Sequence, residues 1–108
     1  MKAVYLDQNT RSIADLVEID PNLYLVTRIN VPTASRAKGF GSKLLREIIE
    51  DADREGTTLE IHPVPSGGMT RKELISWYRR HGFQWEQSRA SPGDPIKVLI
   101  REPGGTCD

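Results

Sequence analysis

The period of the apolar residues changes twice between Leu23 and His62, and no other feature narrows the fold as much. Residues 23–31 (LYLVTRINV) alternate with period two. Leu23, Leu25, Thr27, Ile29 and Val31 fall on one strand face, with Tyr24, Val26, Arg28 and Asn30 on the other. Apolar residues on both faces predict a central strand covered on both sides. Beyond Pro32 the spacing turns helical: Leu44, Leu45, Ile48, Ile49 and Ala52 form one stripe, and Lys43, Arg46, Glu47, Glu50 and Arg54 the opposite one. Gly56 supplies the stop. A short strand at residues 58–62 comes next, closed by Pro63 and Pro65. Strand, helix and strand in this order predict a right-handed crossover between two parallel strands.

The flanks complete the pattern. Residues 2–7 read as a strand, and residues 13–19 and 23–31 as a hairpin turning at Asp20-Pro21-Asn22. Thr70-Arg71-Lys72-Glu73 has the capping-box form and opens a second helix, in which Leu74, Ile75 and Tyr78 share a face and which Gly82 ends. Residues 83–87 and 96–101 read as terminal strands joined by the turn-rich stretch 88–95. The expected architecture is α+β, a mixed sheet in the order β-β-β-α-β-α-β-β. A length of 108 residues fits one domain over 1–108, with 102–108 as a frayed tail.

Composition removes several function classes. Fifteen basic and fifteen acidic side chains cancel, which argues against a protein built to neutralise phosphates along a nucleic acid. No apolar run approaches the roughly 18–20 residues of a membrane span, and no secretory signal is visible, so a cytoplasmic location without a membrane partner is expected. Cys107 is the lone cysteine, excluding intrachain disulfides and arguing against a metal cluster.

Chemistry begins in Arg36-Ala37-Lys38-Gly39-Phe40-Gly41-Ser42, between the central strand and the helix. A helix start offers unpaired amides and a partial positive charge, and Gly39 and Gly41 leave room for a phosphate to approach the backbone. The alternative is a strand-to-helix turn using glycine only for tightness; the flanking elements and the basic Arg36 and Lys38 favour the phosphate reading. A Walker loop is absent, and the third glycine of a Rossmann fingerprint is missing because Ser42-Lys43-Leu44 stands in its place. Lys38-Gly39-Phe40-Gly41 also matches the opening of an RNA-recognition motif, but Ser42-Lys43-Leu44-Leu45 continues it as a helix, not as an aromatic-bearing strand.

Arg36-x-x-Gly39-x-Gly41, after a strand ending in Val31-Pro32 and before a Leu-Leu helix, resembles the acetyl-CoA signature of the GNAT N-acetyltransferase superfamily. Trp77-Tyr78-Arg79-Arg80-His81-Gly82-Phe83 is similar to its second hallmark, a Tyr followed by three residues and Gly-Phe, and Leu59-Glu60-Ile61 resembles the strand between them. The chain looks like a compact, N-terminally abbreviated member. The resemblance implies a cleft where the two parallel strands splay apart beyond a bulge. Backbone groups of Ile29, Asn30 and Val31 would pair with the pantetheine arm of acetyl-CoA, and Arg36, Ala37, Lys38, Gly39, Phe40, Gly41 and Ser42 would hold its pyrophosphate.

It also implies direct acetyl transfer to an amine of a small molecule or a protein, with no metal. Tyr78 matches the donor to the leaving sulfur; the alternative is a core tyrosine. Period two puts Glu60 and His62 on one face. Glu60 matches a glutamate that some members use as base, directly or through water, and His62 competes with it; a solvated strand face is the alternative for both. His81 reads as a charge at a helix C-terminus. Two departures stand out. The loop at residues 63–69 lacks the Asn that many members carry before the Tyr helix, and only about thirty residues precede the glycine loop where the family has two helices. The acceptor side is therefore expected to be open, completed by a second copy as a homodimer, or shaped for a protein surface. A catalytically silent interaction module is the competing function, and nucleic-acid binding through Lys38-Gly39-Phe40-Gly41 and Arg71-Lys72 a weaker third.

Overall fold

The computed structural model describes residues 1–8, 11–30, 40–63 and 70–104, with residues 40–42 described by backbone alone. The elements are β1 (Val4–Asp7), β2 (Ser12–Asp20), β3 (Leu23–Asn30), α1 (Phe40–Glu55), β4 (Thr58–Ile61), α2 (Arg71–Arg80), β5 (Gln84–Gln87) and β6 (Lys97–Arg101). Their order is the expected β-β-β-α-β-α-β-β. The six strands form one sheet in the spatial order β1-β2-β3-β4-β6-β5, in which β3 and β4 are parallel and every other pair is antiparallel.

Pro21 and Asn22 connect β2 to β3, with Asp20 paired to Leu23. The Asn22 carbonyl then accepts from the Thr58 amide at 2.8 Å, which starts the parallel pair. In α1, Leu44, Leu45, Ile48 and Ala52 are buried, so the helical stripe read from the sequence is the face that packs. The helix begins at Phe40, a turn before that stripe, and stops at Gly56, whose φ of +68° favours glycine. Both halves of the capping box at the start of α2 are formed: Thr70 Oγ1 accepts from the Glu73 amide at 3.1 Å, and Glu73 Oε1 accepts from the Thr70 amide at 2.9 Å.

Both helices pack into one core. Leu44, Leu45, Ile48 and Ala52 of α1 meet Leu74 and Tyr78 of α2 in a cluster with Tyr5, Ala14, Leu16, Val26, Leu59, Ile61, Phe83 and Leu99. Two crossovers of the same hand, advancing in one direction, place both helices on one side of a sheet. On the opposite side Val4, Leu6 and Val17 are about half exposed.

The expected covering of β3 on both faces holds for its first half only. Leu23 and Val26 are buried, whereas Thr27, Arg28 and Asn30 are exposed. The expected alternation also breaks. Asp15 pairs with Arg28 but Leu16 with Val26, which leaves Thr27 as an extra residue, a β-bulge. Its hydroxyl donates to the Asp15 carbonyl at 3.0 Å. The bulge reverses the faces beyond it: Val26 and Ile29, assigned to opposite faces by strict alternation, both turn to the helix side, where Ile29 packs on the core. Among the described residues, no helix is long and apolar enough to cross a membrane, and no group of His, Cys, Asp and Glu is placed to hold a metal.

Candidate functional site

The site lies where β3 and β4 part. Their last pair is Val26 with Ile61. Beyond it β3 runs on through Thr27, Arg28, Ile29 and Asn30, paired to β2 through Asn30 but to no described strand on its other edge. The bulge at Thr27 bends the strand just past the last shared pair, and this opens the sheet. Backbone N–H and C=O groups on an unpaired strand edge need partners. That edge, the C-terminal ends of both parallel strands and the start of α1 belong to the same end of the crossover. The first turn of α1 holds no acidic residue, so no carboxylate of that turn neutralises the positive end of its dipole. An extended, amide-bearing ligand with a phosphate group is complementary to this combination.

Glu60 stands on β4 with neighbours Leu59 and Ile61 turned into the core, so its side chain leaves the sheet on the face away from the helices. It is 0% exposed. Oε2 accepts from Ser88 Oγ at 2.5 Å and lies 2.8 Å from His62 Nε2; Oε1 accepts from the Arg89 amide at 2.7 Å and the Ala90 amide at 3.1 Å. Burial by itself pulls the carboxyl upward. The hydrogen bonds from Ser88, His62 and the two amides outweigh it and hold Glu60 below the ordinary carboxylate value. It is therefore an anion in neutral solution. The loop that supplies these donors is itself tied down: the Arg89 guanidinium bonds Glu86 at 2.7 Å and Glu102 at 3.0 and 3.1 Å. Glu102 in turn accepts from Thr58 Oγ1 at 3.2 Å.

His62 shares the Glu60 face, as period two predicts, and stands directly after the last parallel pair. Its side chain is 39% exposed, so one ring nitrogen rests on Glu60 while the imidazole remains accessible.

Tyr78 sits on the helix side. Its ring packs between Trp77, with centroids 4.8 Å apart, and Phe83, at 5.4 Å edge to face, and the residue is 3% exposed. Burial pushes its phenol well above the usual tyrosine value, so it holds its proton at any working pH. Such a group acts as a donor, not as a base. His81 is the C-cap residue of α2, but the charge expected there is disfavoured: burial and the nearby Arg46, Arg80 and Arg101 hold its imidazole below the usual histidine value. Its carbonyl accepts from Arg101 Nε at 3.1 Å, and its ring stands edge-on to Trp77.

The structure thus brings Glu60 and His62 together and puts Tyr78 on the other side of the sheet. Ile29 and Asn30 lie on the open edge of β3. Gly41 and Ser42, with Phe40, form the first turn of α1. Val31, Arg36, Ala37, Lys38 and Gly39, and most of the loop before α2, lie outside the described residues. Ser88, Arg89 and Ala90 were not singled out by the sequence. Their segment, Ser88-Arg89-Ala90-Ser91-Pro92-Gly93, reads as a turn, and nothing local in it marks two amides and a hydroxyl that serve a carboxylate 28–30 positions earlier.

No family model matches the sequence, and no curated protein matches it. Solved structures do share its fold. The anti-CRISPR protein AcrVA5 aligns with a TM-score of 0.69 at 14% identity, over 92% of this chain and 98% of its own. A GNAT family acetyltransferase from Elizabethkingia anophelis with acetyl-CoA bound aligns with a TM-score of 0.68 at 18% identity, over 92% of this chain and 74% of its own. An acetyltransferase of the GNAT family from Staphylococcus aureus gives 0.62 at 16% identity, over 90% of this chain and 63% of that one. At these identities the likeness establishes the fold, which is that of GNAT acetyltransferases.

Proposed function

We propose that the chain is an acetyl-CoA-dependent N-acetyltransferase that acylates a primary amine of a protein or small molecule. The observation that carries this reading is the parting of the parallel strands β3 and β4 beside a helix whose first turn contains no acidic residue. One structure of this fold holds acetyl-CoA. The residues present fit such a co-substrate. The open edge of β3 at Ile29 and Asn30 offers main-chain partners to an amide-bearing arm, a role also assigned to Val31, the next residue in the sequence. The first turn of α1, with the preceding Arg36, Ala37, Lys38 and Gly39, offers amides and positive charge to a diphosphate.

Acetyl-CoA, when bound, supplies the activated acyl group. The chain's own contribution is to orient that group and to manage protons. The Tyr78 phenol, held protonated by burial, donates toward the departing sulfur. Glu60 with His62 serves the incoming amine.

Calorimetry with acetyl-CoA tests the reading: saturable binding is expected, weakened by Gly39→Glu or Gly41→Glu through steric and charge conflict with the phosphates. Tyr78→Phe should keep that binding and slow acetyl transfer by roughly 10–10⁴-fold, the range for a lost general acid. A folded sample without affinity for acetyl-CoA overturns the proposal. That result would select the second reading, a non-catalytic module acting on a protein partner. The support for that reading is a Glu60 carboxylate already engaged by four donors.

A further inference from the structure

We propose that His62 is the proton-accepting residue of this site and that Glu60 positions it; the inference rests on the transferase reading and assigns the base within it. A carboxylate offers about four lone-pair positions. In Glu60 all four are taken, by Ser88 Oγ, His62 Nε2 and the amides of Arg89 and Ala90. Glu60 is also 0% exposed, so neither an amine nor a bridging water has an open lone pair to reach.

The same contacts define the histidine. An ionised carboxylate only accepts, so His62 Nε2, 2.8 Å away, must carry hydrogen. The neutral ring is then the Nε2–H tautomer, with its basic lone pair on Nδ1. A carboxylate behind an imidazole fixes its tautomer and orientation in this way. The placement suits the chemistry. His62 is the first residue past the last parallel pair, on a ring 39% exposed, at the point where the sheet opens. The other charged groups packed about Glu60 are committed to one another: Arg89 of the loop is paired with Glu86 of β5 and with Glu102 beyond β6. Glu60 is the charge in contact with the imidazole.

The proton balance closes. As the nitrogen of a neutral primary amine bonds to the acetyl carbon, its surplus proton passes to Nδ1 of His62. The C–S bond breaks with its electron pair on sulfur, which the Tyr78 phenol stabilises by donating a hydrogen bond. The imidazolium then gives up its proton through solvent to the thiolate, leaving amide, thiol and both side chains as they began.

The chain has two histidines, His62 and His81, so long-range proton–nitrogen correlation NMR resolves them with one His81→Asn control. The native protein should show His62 as the Nε2–H tautomer, and Glu60→Gln should release the lock and populate both tautomers. Ser88→Ala, which leaves the histidine bond in place, should keep it, and serves if Glu60→Gln fails to fold. A native Nδ1–H tautomer overturns the proposal, as does a folded Glu60→Gln with the lock intact.

Kinetics with saturating acetyl-CoA and Nα-acetyl-lysine amide as the amine probe supply the second arm. His62→Gln should lower kcat about 10²–10⁴-fold without altering acetyl-CoA affinity. The His62→Gln/Glu60→Gln pair should lose little more, because the two residues act as a unit. Native turnover in His62→Gln overturns the assignment while the transferase reading stands. Absence of acetyl-CoA binding to the native protein overturns that reading and leaves the tautomer result to judge the dyad.

Discussion

A carboxylate without solvent exposure persists only where donors replace the water it has lost. Glu60 meets that condition with a hydroxyl, an imidazole and two main-chain amides. Replacing it by glutamine keeps the volume but turns one acceptor oxygen into a donor that must face groups already donating. The expected cost is about 2–4 kcal/mol, the scale of breaking a buried charged network. Urea unfolding of Glu60→Gln measures it, and a loss below about 0.5 kcal/mol, the size of an ordinary surface substitution, would contradict the geometry. The shared face of Glu60 and His62 was legible from period two alone. Their direct contact was not, because alternation places side chains on a face without stating which will touch. The amides of residues 89 and 90 were beyond reach altogether: a main-chain donor has the same chemistry in every residue, and only the fold selects which one approaches.

At the scale of elements, α2 was the most legible piece and β3 the least. The capping box at Thr70 and Glu73 is a local device, spanning four residues, and it forms as the spacing implies. Thr70→Ala should therefore cost about 0.5–2 kcal/mol, the usual worth of an N-cap. The far end of the same helix carries a second test. Gly82 has φ +94°, and a Cβ there would meet Arg101 Nε at 3.2 Å. Arg101 has little freedom to yield, because its guanidinium bonds Asp53 at 2.6 and 3.1 Å and its Nε donates to His81 O. Gly82→Ala should lose about 1–3 kcal/mol from backbone strain, read from the shift in urea midpoint at unchanged slope. The bulge in β3 had no comparable signature. Thr27 is an ordinary strand residue, and the mismatch that makes it extra arises between Asp15 and Leu16 on the neighbouring strand. An alternating pattern read along one chain cannot reveal a register jump against another. Yet this jump is what turns Ile29 toward the core and precedes the opening of the sheet, so the feature that makes the candidate site is also the one least visible in the letters.

For the whole molecule, the charged and phenolic groups that hold the elements together set the pH range over which the fold survives. Hydrogen bonds from Arg101 hold Asp53, and those from Arg89 hold Glu102, below their ordinary values; Glu60 is held low by its donors in spite of burial. In each case the folded state binds the proton more weakly than the unfolded chain. The stability they contribute is complete above the unfolded carboxylate values near pH 4, and is lost as pH falls through the lower folded ones. Tyrosines impose the opposite limit. Burial raises Tyr78, and burial together with the Asp51 hydrogen bond raises Tyr5. Their folded forms keep protons that the unfolded chain releases from about pH 10, so stability declines above that point. Chemical denaturation across pH should give a plateau between roughly pH 7 and 9 with a fall on each side, the acid side beginning with His81, whose imidazole burial and nearby arginines hold below its ordinary value. Glu60→Gln should make the acid limb shallower without touching the alkaline one. Tyr78→Phe should do the reverse, since the ring keeps its packing on Trp77 and Phe83 while the ionisable hydroxyl is gone. An alkaline limb of native steepness in Tyr78→Phe would mean that the phenol is not buried as the fold requires, and with that the donor assigned to the far side of the sheet would be lost.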